Sequence, residues 1–145
     1  MNELQKDILG NIYALEEAML KMQQAEIETI NHFADGVYCR EMRAPKGSII
    51  VGKMHKFQHI NIISKGSIAV ATQFGAKIIT APATIISEPG IKRVGLVLED
   101  VVWTTIHPNP TDENDLEKLE ELFIAKTIAD VPNIKEGICP GLLPQ

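Results

Sequence analysis

The sequence predicts a small β-sandwich or barrel with a helix at each end, and three features support this. Residues 36–107 break into short β-branched runs separated by turn residues at regular intervals. A helical period of apolar residues precedes that stretch, and another follows it. At 145 residues, with 45% hydrophobic and 23% charged content, the chain fits one domain with a sizeable core.

Residues 2 to about 24 read as the first helix. Ile8, Ile12, Leu15, Met19 and Met22 follow a 4-3-4-3 spacing, and Leu4 adds a turn. Glu16, Glu17, Lys21 and Gln24 fall on other faces. The seam packs either on its own domain or against another protomer. Its length is short for an independent coiled coil. The β region opens with Val37–Arg43 and turns at Pro45, Lys46 and Gly47. Ser48–Lys53, His59–Ser64, Ser67–Gln73, Lys77–Thr80, Ala83–Ser87, Arg93–Leu98 and Val101–His107 follow, each ended by turn residues. About eight short strands in about 70 residues fit a sandwich or barrel. Residues 112–127 form the last helix, with Asp112 as N-cap and Asp115 in the capping-box position. Leu116, Leu119, Leu122 and Phe123 make its apolar face, and Glu113, Asp115 and Glu117 suit the positive end of its dipole. Pro132, Gly137, Pro140, Gly141 and Pro144 make 128–145 an irregular tail. That tail is either flexible or draped over a neighbour through Ile134, Ile138, Leu142 and Leu143. The whole reads as a single domain, with a helical segment at 1–30 and a barrel at 36–107.

Composition excludes several classes. A net charge of −5 and pI near 5.3 argue against general nucleic-acid binding, which needs a basic surface. A local basic pocket remains compatible with an acidic protein. No run reaches the length of a membrane span, and no signal-peptide pattern is visible. Cys39 and Cys139 belong to no C-x-x-C pair, which argues against a thiolate zinc site. The default expectation is a cytoplasmic protein with reduced thiols. No nucleophile elbow, P-loop or dinucleotide-binding glycine pattern occurs.

The most informative segment is Gly47–Gly66, with the spacing G-x5-K-x-H-x3-H-x6-G. Lys53, His55 and His59 fall between the two glycines. Further on, Pro89, Gly90 and Arg93 form a compressed second motif. These segments resemble the two motifs of the cupin superfamily, G-x5-H-x-H-x3-E-x6-G and G-x5-P-x-G-x2-H-x3-N. The resemblance covers about 36–107 and implies a cupin-type jelly-roll barrel, commonly assembled as a homo-oligomer. The exposed seam and apolar tail point to assembly as well. The chain also resembles small phage-encoded cupin-like proteins of unassigned activity. That likeness lies in Asn31–Tyr38, Gly52–Lys56 and Glu99–His107.

In a metal-binding cupin the motif histidines and glutamate point into the barrel. Residues at i and i+2 of a strand share a face, so Lys53 and His55 would both point inward. The resemblance then puts His59 in place of the glutamate and Arg93 in place of the last histidine. A divalent cation beside Lys53 and Arg93 would meet repulsion on the order of several kcal/mol. The same set suits phosphate or carboxylate, with Arg93 as a planar fork and Lys53 as a point charge. Three readings stay open. One is a pocket for a small anion, a nucleotide or phosphorylated sugar, with no cofactor. Another is a divalent metal held by His55, His59 and a third ligand such as His107 or Glu99. The last is a structural network with no ligand.

Glu99 and Asp100 lie near Arg93 in sequence, and Glu41 near Arg43. They read as ion-pair partners, or one of them as a general base. Trp103 is a core residue or a stacking platform for a base or sugar, and Tyr38 and Phe57 are lesser candidates for stacking. His32 reads as a surface histidine and Cys39 as a small buried residue. In functional terms, the first expectation is non-catalytic binding of a small anion, as in sequestering a host nucleotide signal. A cupin enzyme acting on a sugar is the alternative, with His55 or His59 paired to Asp100 and with Tyr38 as acid. A structural phage protein with a vestigial pocket is the third.

Overall fold

The computed structural model describes residues 1–132. Helix α1 spans Glu3–Leu20. Nine strands follow, with a second helix before the last: β1 Glu28–Ala34, β2 Val37–Ala44, β3 Ile49–Val51, β4 Met54–His55, β5 His59–Thr72, β6 Gly75–Thr80, β7 Ala83–Ser87, β8 Arg93–Pro108, α2 Leu116–Phe123 and β9 Ile124–Ala125. A single 3-10 turn covers Ile128–Asp130.

The two long strands β5 and β8 organise the barrel. They pair antiparallel along most of their length, with register shifts between Ile63 and Ile68. The shifts bend both strands, so each serves two walls. The first part of β5 pairs with β7 and the second with β6. The first part of β8 pairs with β3 and the last with β2, which carries β1 at its edge. Gly66 sits in the bend at φ +83, and a Cβ there would run into the Asp100 carbonyl oxygen. Only glycine accepts both conditions. Inward residues Ile63, Ile68, Val70, Ile85, Val97 and Trp103 fill the closed end as one apolar cluster.

The mainly β architecture with helices at both ends matches the sequence expectation. Several boundaries differ. The runs 59–64 and 67–73 are one bent strand, as are 93–98 and 101–107, because bulges carry the chain past polar interruptions that read as turns. Strand β1 starts inside the 1–30 segment assigned to the helical N-terminus and runs into the gap before residue 36, and its Thr29 and Asn31 lie among exposed neighbours and give little apolar alternation. Helix α2 starts later than expected. Asp115 caps it, accepting from Glu117 N and Lys118 N. Asp112 instead takes φ 49 and accepts from Gly36 N at 2.7 Å, tying the turn to the β1–β2 hairpin.

In α1, an Asn2–Gln5 capping box starts the helix, and Leu9 and Ile12 are the buried residues. Leu4, Leu15 and Met22 of the expected seam are exposed. The docked face keeps Ile8, Ile12 and Met19 of that seam and is shifted toward Leu9, Tyr13 and Glu16. It is fastened by Glu16 accepting from the buried Lys92 at 2.9 Å, with the Lys92 ammonium over the Tyr13 ring. Among the described residues no helix is long and apolar enough to cross a membrane. Ile134, Ile138, Cys139, Leu142 and Leu143 of the expected tail lie outside the described residues.

Candidate functional site

Strand register stacks the inward side chains in layers, because directly opposed residues share a face. The outermost layer runs Phe33, Tyr38, His107 across β1, β2 and β8, and the register then sets His59 beside His107 and opposite Ser87. The next runs Asn31, Arg40, Thr105, Asn61. The third runs Thr29, Met42, Trp103, Ile63 and merges with the apolar core. Together they line a cavity of about 630 Å³ whose wall grades from imidazole to polar to apolar. Strands β3 and β4 add Ile50 and His55, the link between them adds Lys53, and β8 adds Arg93. Helix α2 and β9 close the mouth with Leu119, Glu120, Phe123 and Ile124. They are held there by β4–β9 pairing and by Lys56 N donating to the Phe123 carbonyl.

Three histidines converge at the outer layer. Ring centroids lie 4.1 Å apart for His55–His59, 5.2 Å for His55–His107 and 5.5 Å for His59–His107. Phe123 stacks on His107 at 4.3 Å. Burial holds all of them neutral. His59 is pushed down to about 4 by burial, with Arg93 adding to the shift against the Phe57 carbonyl. His107 is pushed down to about 4 by burial, then by His59 and Arg40. His55 lies well below the usual imidazole range, from burial and then from its two neighbouring imidazoles. His59 Nδ1 donates to the Phe57 carbonyl at 3.0 Å, since a carbonyl only accepts. Its Nε2 is then bare, buried and without a partner among the described residues.

Below this layer lies a fixed polar network. Trp103 Nε1 and Thr105 Oγ1 both donate to Asn61 Oδ1, at 3.0 and 2.9 Å. Asn61 Nδ2 donates to Ser87 Oγ at 2.7 Å, and Arg93 Nη2 donates to the same oxygen. The Arg93 guanidinium lies 5.8 Å from the Trp103 ring, a cation–π distance. Burial lowers Arg93 to about 10, so it keeps its charge at neutral pH. Its Nε has no partner among the described residues. Lys53 forms an ion pair with Glu120 of α2, and both side chains are about half exposed. Arg40 lines the mouth and forms no ion pair among the described residues.

Of the residues singled out in the sequence, Lys53, His55, His59, Arg93, Trp103, Tyr38 and His107 all line the cavity. Glu99 does not. It is exposed beside the β5–β8 bend, opposite Ser67, because the bulges turn that end of β8 away from the mouth. Asp100 is also remote, accepting from Lys46 N at 2.8 Å, so it pairs with no histidine. Tyr38 is stacked between Phe33 at 5.1 Å and His107 at 5.9 Å and donates to Asn31 Oδ1, which leaves no free face for a base. Phe57 is exposed and outside the cavity lining. Cys39 is half-buried. His32 and Arg43 both pair with Glu41 on the outer surface. Sequence reasoning missed Arg40, Asn61 and Thr105. Each lies two positions from a residue already noted, and strand alternation was the signal for them. Glu120 had no comparable signal, since it reaches the mouth from a helix distant in sequence.

The cupin resemblance implies a divalent metal at the histidines, and the residues do not fit one. The imidazoles pack ring against ring with Arg93 and Arg40 nearby. Among the described residues no group of three or more His, Cys, Asp or Glu is arranged to hold a metal ion. Glu120 is the lone carboxylate among the described cavity-lining residues, and it is paired with Lys53.

No protein-family model matches the sequence, and no curated protein matches it. Solved structures do. KdgF from Halomonas sp. superposes with a TM-score of 0.50 at 10% identity, over 61% of this chain and 86% of that one. A cupin superfamily protein from Desulfitobacterium hafniense gives 0.50 at 6% identity, over 63% of this chain and 84% of that one. Oxalate oxidase in complex with the substrate analogue glycolate gives 0.50 at 11% identity, over 63% of this chain and 55% of that one. At such identities the likeness concerns architecture, and with the bent antiparallel sheet and its inward layers it establishes that this chain has the cupin-type jelly-roll fold.

Proposed function

We propose that the barrel binds a small anionic ligand, a nucleotide or a phosphorylated sugar, without transforming it. One observation carries this reading. Arg93, Arg40 and Lys53 line a cavity in which Glu120 is the lone carboxylate among the described residues, and Glu120 pairs with Lys53 at the rim. Two guanidinium groups are left to meet an anion from the solvent, and their planar forks suit phosphate oxygens. The apolar wall of Met42, Ile50 and Trp103 would receive the uncharged part of the ligand. The cavity volume of about 630 Å³ is in the range of small-molecule sites.

The histidines support binding over catalysis. A general base works best with a pKa near the operating pH. His59 and His107, at about 4, are weak bases, and Asp100 is too far away to raise either. If the phage likeness holds, sequestration of a host nucleotide signal is the role such binding would serve. Calorimetric titration with adenosine monophosphate, glucose 6-phosphate and inorganic phosphate tests the proposal. At least one should bind, and Arg93→Met should weaken it by about tenfold or more, the worth of one charge-assisted hydrogen bond. Binding that Arg93→Met and Arg40→Ala leave unchanged would place the ligand elsewhere and refute the site.

A further inference from the structure

His59 differs from the two other histidines in the cavity wall. Its Nδ1 donates to the Phe57 carbonyl, which fixes the tautomer and leaves Nε2 as a lone-pair acceptor. His55 and His107 make no side-chain hydrogen bond among the described residues, so either nitrogen of each ring can carry the proton and offer an N–H to a ligand. Of the three, only His59 is locked. Burial, with Arg93 adding to it, holds His59 to about 4, so Nε2 stays bare at neutral pH. The residue is 5% exposed, and Nε2 is buried without a partner among the described residues.

A cationic donor in the same condition lies close by. The β5–β7 register sets His59 opposite Ser87, and Arg93 Nη2 donates to Ser87 Oγ. The same guanidinium lies over the Trp103 ring, and its Nε is also buried without a partner. One bare acceptor and one charged donor thus flank Ser87, and both residues line the cavity. A buried polar group left unpaired is costly. An occupant that satisfies both must carry negative charge for Arg93 and also give a hydrogen bond to His59.

We propose that His59 makes this site selective for a phosphate group that keeps one proton, and that it rejects sulfate. The inference rests on the anion-binding reading above and narrows it. A singly protonated phosphate ester and a sulfate ester have the same tetrahedral shape and the same single negative charge. Arg93 cannot tell them apart. At His59 the phosphate donates its O–H to Nε2, whereas a sulfate oxygen sets lone pair against lone pair. A site built around a ligand hydroxyl strongly rejects the analogue that lacks it. A fully ionised phosphate ester meets the same repulsion. The site therefore draws on the protonated fraction, roughly a tenth of an ester at pH 7 for a second pKa of about 6.

The test is calorimetric titration of the full chain with adenosine monophosphate, glucose 6-phosphate and inorganic phosphate, each beside its sulfate counterpart. Every phosphate that binds should do so about 100-fold more tightly than its sulfate. His59→Gln supplies an amide that can turn its N–H to the anion, so sulfate affinity should rise to within about tenfold of phosphate. Circular dichroism checks that this variant folds. A second measurement needs only wild type. Affinity for an ester should rise about tenfold from pH 8 to pH 7, as the protonated fraction does. Inorganic phosphate keeps an O–H at both values and should show little rise. The groups facing His59 are His55, His107, Arg93 and Arg40, and the imidazoles and Arg93 titrate outside that interval. Equal affinity for phosphate and sulfate, both weakened by Arg93→Met, would overturn the selectivity and leave the anion pocket standing. Selectivity or a pH rise that persists in His59→Gln would assign it to another group and overturn the role of His59. No binding by any of the six would overturn both readings.

Discussion

Lowering the pH from 7 to 5 should cost this fold about 4 kcal/mol through two histidines. His59 and His107 are each 5% exposed and have pKa values of about 4. In the unfolded chain an imidazole titrates near 6.5. Between those values the unfolded state binds a proton that the folded state refuses. Stability is therefore complete above about pH 6.5 and is lost as the pH falls toward 4, with a slope of about 1.4 kcal/mol per pH unit per histidine. Integrated from pH 7 to 5, each contributes about 2 kcal/mol. His55 shifts the same way and adds to the loss. The sum is a large part of a typical domain's stability. Urea unfolding at stepped pH measures it directly, and His107→Phe should remove about one proton's worth of the slope. A stability that stays flat between pH 7 and 5 would show that the histidines titrate normally, and the buried neutral cluster would be wrong.

Other perturbations have equally definite expectations. Glu16→Ala leaves the Lys92 ammonium buried without its partner and should cost about 3 kcal/mol in urea denaturation, while Glu16→Leu with Lys92→Met should recover most of that loss. Gly66→Ala and Gly36→Ala both force alanine into positive φ, at about 1 kcal/mol, but only Gly66 also meets the Asp100 carbonyl, so its urea midpoint should fall much further. Trp103→Phe removes the Nε1 donor to Asn61 and should cost about 1–2 kcal/mol in thermal or chemical unfolding.

The cavity was legible in the sequence to the extent that it depends on strand alternation. His55 and His59 share the barrel mouth because the motif spacing carries a short strand, a turn and the start of another strand, whereas Lys53 reaches the mouth from the link before that short strand. Trp103 and His107 line the same wall because they lie four apart on one strand. What escaped depends on long-range placement. Glu99 and Asp100 are close to Arg93 in sequence, yet the bulged β8 carries them to the far end of the barrel. Glu120 and Phe123 reach the histidines only because α2 folds back over the mouth. Strand β1 was hidden because its cavity-facing Thr29 and Asn31 are polar while Ile30 faces out, and because a helical pattern precedes it. The α1 seam was read from spacing alone, whereas the docked face is shifted from it by contacts distant in sequence, Leu9 on Met54 and Ala125 and Glu16 on Lys92, 76 residues away.

The central claim is that the cupin-type barrel holds an anion where the family motif would place a metal. A native mass spectrum of freshly purified, untagged protein tests it most directly. The account predicts an added mass matching a nucleotide or a phosphate-bearing sugar, absent from Arg93→Met. An added mass matching a metal ion, lost on His55→Ala or His59→Ala, would contradict it.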